Sequence, residues 1–518
     1  MTIIRRRTLA GLAAALFLSW SGTPLLAQTV GGALVAGTYA GANSLDPHFI
    51  SSTTARTFLS GIFESLVTVD ENGSPIPMLA ESYDVSVDGL TYTFKLRTNV
   101  TFHNGQALTA TDVKASLERF GRISPEKIIM ATVTGIDTPD DHTVVLTLSE
   151  PNPLFIDKLA SPASPSSIIP ASEAERELNE AGFIGTGPYQ VAEWVPDNRF
   201  VMSKFTGYAP RTDAEGRDGL GGKKTAYLDK VTFLIMPETS SRIAALESGQ
   251  VQFVDDVPPA TAERLKSGGQ INVVPLETFQ MPALVFNFAK APTSDIRVRQ
   301  AILAALDLNE ALPVVADNGP STLDASFLYA GNALYSEAGS EYFNQANVEK
   351  AKALLAEAGY KGEQIVLNVG SLGIMTRMGL VVNEQLTNAG FNVLVQNMDV
   401  PTLLSSFTTD EGWNLATGGF GVQPFLGAYS WQRMINGPTN LSRSHNDTEM
   451  DALWAEFNAA TDVPARAEIF SRIQGHTYEQ AYFAKMGNVG QNYALSPKLG
   501  GFTSWPGPVR FWDVWLEP

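Results

Sequence analysis

The sequence has 518 residues, of which 44% are hydrophobic and 17% are charged, a composition typical of a globular protein. Cysteine is absent, which excludes disulfides, thiolate metal ligands, a cysteine nucleophile and a lipid-anchored cysteine. The 54 acidic and 36 basic residues give a formal net charge of −18, and such a surface repels nucleic-acid phosphates and anionic lipid. At roughly 100–200 residues per domain, the length indicates about three packing units.

The first segment has the order of regions found in a secretory signal peptide. Arg5, Arg6 and Arg7 precede the apolar run Leu9–Leu18, and small residues lead to Ala27, after which we expect cleavage. The apolar run is shorter than the ~20 residues that cross a bilayer as a helix, so an uncleaved anchor is the weaker interpretation. Arg6 and Arg7 also resemble a twin-arginine export signal, while Sec export stays open. We therefore expect an exported chain without a stable membrane anchor.

The mature chain begins with a strand signal followed by a helix signal. Gly32–Tyr39 is apolar and β-prone and predicts a buried strand. Residues 53–68 place apolar side chains on one helical face. The sequence Asp70-Glu71-Asn72-Gly73 then predicts a turn.

The next segment, residues 66–189, is predicted to form a small α+β unit. The stretches 81–97 and 132–148 each contain two alternating apolar runs around a turn, which predicts two hairpins. Between them, Thr109 stands three residues before Asp112, and their side chains can satisfy the free amides of a first helical turn. We therefore expect a helix between the two hairpins.

The second half of the chain alternates helix and strand signals. Helical patterns are found at Glu238–Ser248, Pro259–Lys266, from Ser294 onward, at 347–358 and at 376–389. Strand patterns are found at Val273–Val274, 365–369 and 391–396. This alternation from about 276 to 489 predicts a second lobe of the α/β class.

The motifs of common enzymes are missing from the sequence. The five histidines show no His-x-x-x-His spacing for a metal: His48, His103, His142, His445 and His476. There is no Gly-x-Ser-x-Gly elbow, and Gly222-Lys223 lacks the other residues of a phosphate loop. The pairs Asp140-Asp141 and Asp255-Asp256 are interpreted as solvated turns. We predict no catalytic residue, no metal site and no cofactor.

Several stretches instead resemble one family, the bacterial extracellular solute-binding proteins of family 5, which are peptide- and nickel-type receptors of ABC importers. The resemblance covers nearly all of residues 32–518, in the family's order. It is carried by the Leu-Asp-Pro turn at 45–47, the segment 62–120 with its Phe-x-Asn-Gly and Asp-Val pieces, the Gly-Thr-Gly-Pro-Tyr segment at 185–189 and the Val-Arg-x-Ala helix at 295–312.

The resemblance implies a fold and a division of the chain. It implies an α/β, two-lobed periplasmic-binding-protein fold of the type II, cluster C-like kind, with an extra α+β domain inserted in lobe I. The predicted boundaries are 1–27 for the signal peptide, 28–65, 190–275 and 490–518 for lobe I, 66–189 for the insertion and 276–489 for lobe II. Lobes of this family close hinge-wise over a bound ligand.

The resemblance also implies a function. We expect a monomeric periplasmic substrate-binding component of an ABC importer, with a peptide, a peptide-like solute or an amino-acid conjugate as ligand. Its partners are then the permease subunits with their cytoplasmic ATPases, and not nucleic acid. Two alternatives stay open: a receptor for a non-peptide solute, such as an opine, a sugar derivative or a metal chelate, and an exported hydrolase or chaperone on the same scaffold.

One departure from the family bears on the ligand. Peptide receptors of this family carry, in lobe II, an aspartate that pairs with the ligand's α-ammonium, just before an acidic residue and a proline. With Pro424 as the matching proline, Phe420 takes the place of that aspartate and Gln423 that of the acidic residue. Burying an ammonium without an anion costs several kcal/mol. A plain peptide with a free amino terminus is therefore disfavoured.

The candidate ligand-binding residues follow from this stretch and from the expected hinge. Aromatic and amide side chains suit a polyhydroxylated, aromatic or modified substrate, although aromatic residues also pack cores. Arg377, near a helix start, is a candidate for a ligand carboxylate or for an exposed salt bridge. The full set is Phe420, Gln423, Tyr429, Trp431, Trp413, Gln280, Met281 and Arg377.

Overall fold

The computed structural model describes residues 28–42, 44–50, 52–420, 427–436, 440–444, 446–460 and 462–518. The predicted signal peptide, residues 1–27, lies outside the described residues. The strands of the described part are, in chain order, β1 Ala33–Thr38, β2 Val67–Val69, β3 Pro75–Pro77, β4 Ala80–Val85, β5 Thr91–Leu96, β6 Val133–Asp140, β7 Thr143–Leu148, β8 Tyr189–Val195, β9 Arg199–Lys204, β10 Arg217–Asp218, β11 Gly221–Gly222, β12 Lys230–Ile235, β13 Phe253–Val254, β14 Asn272–Phe286, β15 Ser321–Thr322, β16 Gln364–Gly370, β17 Asn392–Met398, β18 Leu415–Phe420, β19 Phe483–Lys485, β20 Asn488–Leu495, β21 Leu499–Gly500 and β22 Trp515–Leu516.

The helices of the described part surround these strands, and two short 3-10 helices occupy Lys127–Thr132 and Ser340–Tyr342. The α-helices are α1 Thr53–Leu59, α2 Ala110–Ile123, α3 Phe155–Ala160, α4 Ala171–Ala174, α5 Thr239–Glu247, α6 Pro259–Gly268, α7 Ile296–Ala305, α8 Leu308–Val315, α9 Val348–Ala358, α10 Gly373–Asn388, α11 Val400–Ser406, α12 Gly427–Ile435, α13 Thr448–Ala459 and α14 Val463–Glu479. Among the described helices, none combines the length and the apolar character that crossing a bilayer requires.

One sheet runs through both halves of the molecule. Its strand order is β17-β16-β18-β14-β20-β13-β1-β12-β9-β8, with β15 beside β20 and β19 beside β14. We call the part around β1, β12 and β9 the first lobe and the part around β16, β17 and β18 the second lobe. Parallel pairs form the centre of each: β1 with β12 and β13 in the first, β16 with β17 and β18 in the second.

Two long strands, β14 and β20, cross from one lobe to the other. They pair with each other from Asn272 opposite Leu495 to Leu276 opposite Gln491, and the register then shifts before Gln280 pairs with Val489. From Met281 onward, β14 pairs with β18 of the second lobe. The irregularity in the ladder lies where the chain passes between the lobes, which makes this crossing the natural place for a bend.

Residues 80–148 form a separate antiparallel sheet with the strand order β4-β5-β7-β6. Helix α2 follows Thr109, whose backbone N–H and hydroxyl both donate to the Asp112 carboxylate at 2.9 and 2.8 Å. The predicted hairpins and the intervening helix are therefore confirmed. The core of this unit includes Phe94, Phe102 and Leu117, all fully buried. That the unit is an inserted domain with limits at 66 and 189 stays a prediction.

The Gly-Thr-Gly-Pro-Tyr segment owes its glycines to a close backbone approach. The N–H groups of Gly187 and Tyr189 donate to the carbonyls of Ile62 and Gly61 at 2.9 and 3.0 Å. A Cβ on Gly187 would lie 2.4 Å from the Gly61 carbonyl oxygen, and one on Gly185 would lie 2.1 Å from that of Ile62. These bonds take up carbonyls that a longer helix would use, and α1 accordingly ends at Leu59 within the 53–68 stretch.

A buried ion pair joins the Leu-Asp-Pro turn to helix α2. Both side chains are fully buried, and Arg119 donates to the two oxygens of Asp46 at 2.8 and 2.6 Å. Arg119 also donates to Nδ1 of His48 at 3.1 Å, and Nε2 of His48 lies 2.7 Å from the Ser167 carbonyl oxygen. Because arginine only donates and a carbonyl only accepts, His48 is neutral with its proton on Nε2. Burial agrees with this, since it lowers the pKa of His48 to about 4.

A second histidine contact stabilises the second lobe. Nε2 of His476, near the end of α14, lies 2.9 Å from Oδ2 of Asp447, the amino-cap of α13. Burial disfavours the charged form of His476, but the bond to Asp447 and the charges of Asp447 and Glu449 outweigh burial and raise its pKa. Tyr482 donates to the same oxygen at 2.7 Å, and the pKa of Asp447 falls to about 2 despite burial. The contact is therefore a charge-assisted hydrogen bond at mildly acidic pH.

Replacing His476 with glutamine is expected to destabilise the protein more at pH 5.5 than at pH 9. A raised histidine pKa adds stability that is fully present below the unfolded pKa and is lost as the pH rises through the folded pKa. The loss at pH 5.5 should be about 1.5–3 kcal/mol, the usual contribution of a hydrogen bond to a charged group. Urea unfolding of both proteins at the two pH values measures the difference. Equal losses at pH 5.5 and pH 9 would show that the contact is not charged.

Candidate functional site

A cavity of about 580 Å³ lies at the crossing between the two lobes. The first lobe contributes wall residues from β1, α1, β13 and the carboxyl-terminal segment, and the second lobe contributes the start of α10 and Gly419 of β18. Its size falls within the ~300–1,000 Å³ range of small-molecule sites. A molecule bound in it contacts both lobes at once.

Asp255 is the main polar group of the first-lobe wall. It directly follows β13, and its Oδ1 accepts the Tyr39 N–H at 3.1 Å while its Oδ2 accepts the Thr38 hydroxyl at 2.6 Å. Both donors belong to the end of β1, the strand beside β13. Burial raises the pKa of Asp255 to about 6, although the Thr38 bond and the charge of Arg242 oppose the rise. The carboxylate is thus held in place but poorly solvated.

Arg242 lies near both Asp255 and Asp256. Nε of Arg242 lies 4.0 Å from Asp255, and its Nη2 lies 3.8 Å from Asp256, so neither contact is a close ion pair. The guanidinium is buried and donates mainly to the carbonyls of Met236 and Pro237, both at 2.7 Å. With one positive and two negative charges, this group of side chains keeps a net negative charge beside the cavity.

The second-lobe wall presents the amino terminus of helix α10. Leu372, Gly373, Ile374 and Met375 line the cavity, and Leu372 occupies the amino-cap position without a side-chain cap bond. The first amides of an α-helix lack partners within the helix, and the helix dipole gives them a partial positive charge. This wall is therefore suited to an anionic or hydrogen-bond-accepting group of a ligand.

Two other hollows differ from this cavity. A groove of about 630 Å³ lies on α2 and β6 and involves the 80–148 unit alone. A larger hollow of about 1090 Å³ separates that unit from the second lobe and opens onto the exposed hairpin residues Val87 and Asp88. Beside it, Arg466 of the second lobe lies 3.2 Å from Asp157. Neither hollow combines both lobes with buried polar groups as the cavity at the crossing does.

The two hinge candidates, Gln280 and Met281, are adjacent in β14 and lie on opposite sides of the strand. Gln280 is half-buried and lines the cavity. Met281 is buried, in contact with the core of the second lobe that also contains Trp431. The alternation is that of an ordinary strand, in which successive side chains point to opposite faces.

The two predicted tryptophans are fully buried within the second lobe. Nε1 of Trp413 donates to the Thr409 carbonyl, and Nε1 of Trp431 donates to the Phe327 carbonyl, both at 3.0 Å. Trp431 also stacks on Phe327 at a centroid distance of 4.6 Å. Both tryptophans therefore pack the interior of the lobe, as the alternative interpretation of these aromatic residues expected.

Of the four remaining candidates, Arg377 is described in full, and the side chains of the other three are not described. Nε of Arg377 donates to the Val315 carbonyl at 3.1 Å, and this residue is not among the described lining of the cavity. The backbone of Phe420 pairs with Met281, and Tyr429 lies in α12, but the side chains of both are outside the described part, as is Gln423 entirely. A ligand-binding role for the eight candidates stays a prediction.

Asp255 is the residue that the sequence-based reasoning missed. The Asp255-Asp256 pair was interpreted as a solvated turn, which fits Asp256, whose side chain is 61% exposed, but not Asp255, whose side chain is 17% exposed. The available signal was the apolar Phe253-Val254 strand directly before it, because residues at the end of a central strand lie at the edge of the sheet. Its partners Thr38 and Tyr39 are more than 200 residues away in the chain.

Comparison with known proteins assigns the chain to a family. The model of the bacterial extracellular solute-binding proteins, family 5 middle, matches residues 74–442. This chain belongs to that family. The family resemblance predicted from the sequence is confirmed, and solute-binding proteins, not enzymes, are the members it matches.

Relatives of known kind support the assignment over nearly the full length. The glutathione-binding protein GsiB of Pectobacterium atrosepticum is 28% identical over 98% of this chain and 97% of its own. The structure of AgaA from A. tumefaciens R10 in complex with agropinic acid is 29% identical, with a TM-score of 0.74 over 94% of this chain and 99% of its own.

A third similarity supports the fold alone. NikA of Brucella suis, in complex with Fe(III)-EDTA, is 21% identical, with a TM-score of 0.80 over 94% of this chain and 100% of its own. Together these structures confirm the predicted two-lobed α/β fold of a periplasmic binding protein.

Proposed function

We propose that this protein is the exported substrate-binding component of an ABC importer and that it binds its solute in the cavity between the lobes. One observation carries the proposal: the cavity walls come from both lobes at the crossing of β14 and β20. A solute that touches both walls stabilises the closed arrangement by its differential affinity for that state. The permease then recognises the closed form, and the output is a change of shape.

The ligand proposed is a small peptide or an amino-acid conjugate. A buried carboxylate on one wall and free helix amides on the other are complementary to a molecule with a positive and a negative end. One relative is named a glutathione-binding protein, which supports a peptide-like ligand, and another was crystallised with agropinic acid. Opines, sugar derivatives and metal chelates are the competing non-peptide ligands.

The surroundings of the protein are part of the proposal. The relatives are periplasmic binding proteins, which supports a periplasmic location reached through cleavage after about Ala27. We further propose that the mature chain works as a monomer. Mass spectrometry of the exported protein tests the cleavage point, and light scattering tests the monomeric state.

A thermal-shift panel followed by calorimetry tests the proposed function. Dipeptides, glutathione, opines, sugars and Ni²⁺ are added to the mature chain, and a ligand at ~100 times its Kd should add about 2.7 kcal/mol of stability. The binder is then recovered after overnight incubation and weighed by mass spectrometry. Saturable binding with an unchanged molecule is expected. Steady conversion of the binder would instead favour the exported hydrolase.

A further inference from the structure

The cavity between the lobes has an unbalanced charge. Asp255 and Asp256 both line it, and the described lining residues include no lysine, arginine or histidine. Arg242 does not belong to the described lining, and its guanidinium lies 4.0 and 3.8 Å from the two carboxylates. A bound solute therefore meets one negative charge that the protein itself does not neutralise.

The bonds of Asp255 leave part of its carboxylate open. An ionised carboxylate has about four acceptor positions, and among the described residues only the Thr38 hydroxyl and the Tyr39 N–H donate to it at hydrogen-bond distance. Both donors come from the end of β1 and fix the orientation of the group. Since burial disfavours the charge of this carboxylate and raises its pKa to about 6, a donor from a solute would be favoured.

Aromatic side chains line the same cavity. Phe58, Phe233, Phe253, Phe279 and Tyr493 all belong to its lining. The negative faces of aromatic rings attract cations, and their bulk lowers the local dielectric constant around the carboxylate. Neutral or anionic groups gain neither effect at this position.

We propose that Asp255 is the counter-ion for a positively charged nitrogen of the transported solute, an ammonium or a guanidinium. The inference rests on the proposed function and specifies the substrate class of the same site. It revises the expectation drawn from Phe420, because the anion that the second lobe lacks at that position is supplied by the first lobe. Solutes with a free amine are then favoured over sugars and acylated peptides.

Matched solutes on the wild-type mature chain provide the first test. L-alanyl-L-alanine, glutathione and L-glutamine are each compared by calorimetry with the Nα-acetyl form, with n-propylguanidine, which has no amine, as a guanidinium probe and glucose as a neutral one. The charged members should bind at least about 30-fold more tightly than their acetylated partners, since an unpaired buried charge is costly. A preference for the ammonium solutes over n-propylguanidine, or the reverse, identifies the type of cation.

The Asp255→Asn variant provides the second test. The amide keeps the shape, an acceptor for the Tyr39 N–H and an NH2 that can donate to the Thr38 hydroxyl, but it removes the charge, so the tightest amine should lose at least about 30-fold in affinity. Asp141→Asn, at an exposed turn of the 80–148 unit, is the matched control and should leave the affinity within about twofold. Circular dichroism verifies that both variants are folded.

The affinity for an amine should depend on pH through the carboxyl group of Asp255. Protonation of Asp255 removes its charge, so the affinity for an amine should fall as the pH is lowered through about 6. The other charged and titratable groups that face Asp255 are Tyr39, Arg242, Asp256 and Tyr493. Tyr39 and Tyr493 keep their protons throughout this range because burial raises the pKa of both tyrosines.

The outcomes separate this inference from the proposed function. Equal binding of amines and their acetylated forms, or unchanged affinity in Asp255→Asn, would overturn the inference and leave the importer role intact. If no solute of any charge bound to the mature chain, the importer role and the inference would both be refuted.

Discussion

Replacing Arg119 with methionine is expected to lower the free energy of unfolding by about 3–5 kcal/mol, the cost of removing one partner from a buried ion pair. Asp46 would remain fully buried without its two bonds from the guanidinium, and His48 would lose the donor to its Nδ1. Arg119 also donates to the carbonyls of Arg176 and Glu177, so the contact between the Leu-Asp-Pro turn and α2 would open. Urea unfolding followed by tryptophan fluorescence and circular dichroism measures the loss.

Two variants control for the Arg119 prediction. Arg472→Met removes a cation from an ion pair whose side chains are 51% and 49% exposed, and it should cost less than about 1 kcal/mol. The double variant Asp46→Asn, Arg119→Met removes both charges and should be less destabilised than Arg119→Met alone. A single-variant loss no larger than that of Arg472→Met would show that the buried pair contributes little.

Replacing Gly490 with alanine is expected to destabilise the crossing between the lobes by about 1–3 kcal/mol, the usual cost of an overpacked position. The added Cβ would lie 2.0 Å from the Leu276 carbonyl oxygen, so β14 and β20 must separate. Gly490 lies at the shift of register between the two strands, and its N–H donates to the Pro320 carbonyl at 2.7 Å. Because the same two strands connect the lobes, solute affinity should fall together with stability.

Gly135→Ala is the matched control for Gly490→Ala. Gly135 is also a strand glycine, but an added Cβ there would have only an ordinary contact with Thr147 at 4.0 Å. Its replacement should be neutral or stabilising by up to about 1 kcal/mol, because glycine is the more flexible residue in the unfolded chain. Thermal unfolding and calorimetric titration of both variants decide the matter. Equal stability and equal solute affinity of the two variants would mean that β14 and β20 can separate at the crossing without loss.

Local patterns in the sequence predicted many elements well. The helix expected at 347–358 is α9, Val348–Ala358, which begins after the cap Asn347 and ends at Gly359 in the left-handed conformation. Strands β16 and β17 likewise follow the patterns at 365–369 and 391–396 to within two residues. These segments are governed by neighbours in sequence, through caps and hydrophobic periodicity, and such signals are visible without the fold.

Most of the crossing strand β14 was not predicted from the sequence. Only Val273–Val274 was expected to be extended, whereas the strand continues to Phe286. Pro275 and Pro282 lie within it, and prolines ordinarily argue against a central strand because they cannot donate to the ladder. The strand accommodates both prolines because it pairs first with β20 and then with β18 along its length. Such a change of partner depends on the tertiary arrangement and leaves no local signal.

The candidate cavity lies at the crossing where the hinge was expected, but most of its lining was not predicted. The hinge region and Gln280 followed from the family resemblance, and Gln280 lines the cavity. The start of α10 was expected at 376 but lies at Gly373, and this one additional turn places free amides in the cavity wall. Asp255 reaches the same cavity only through its bonds to Thr38 and Tyr39. Contacts across 200 residues are a property of the folded sheet.

The central claim is that two lobes close over a solute held in the cavity between them. Small-angle X-ray scattering of the mature chain, with and without the tightest solute found by calorimetry, tests it most directly. We expect a smaller radius of gyration in the saturated sample and the unbound value again after the solute is dialysed away. Identical scattering with and without saturating solute would contradict closure as the means by which this protein signals that it is loaded.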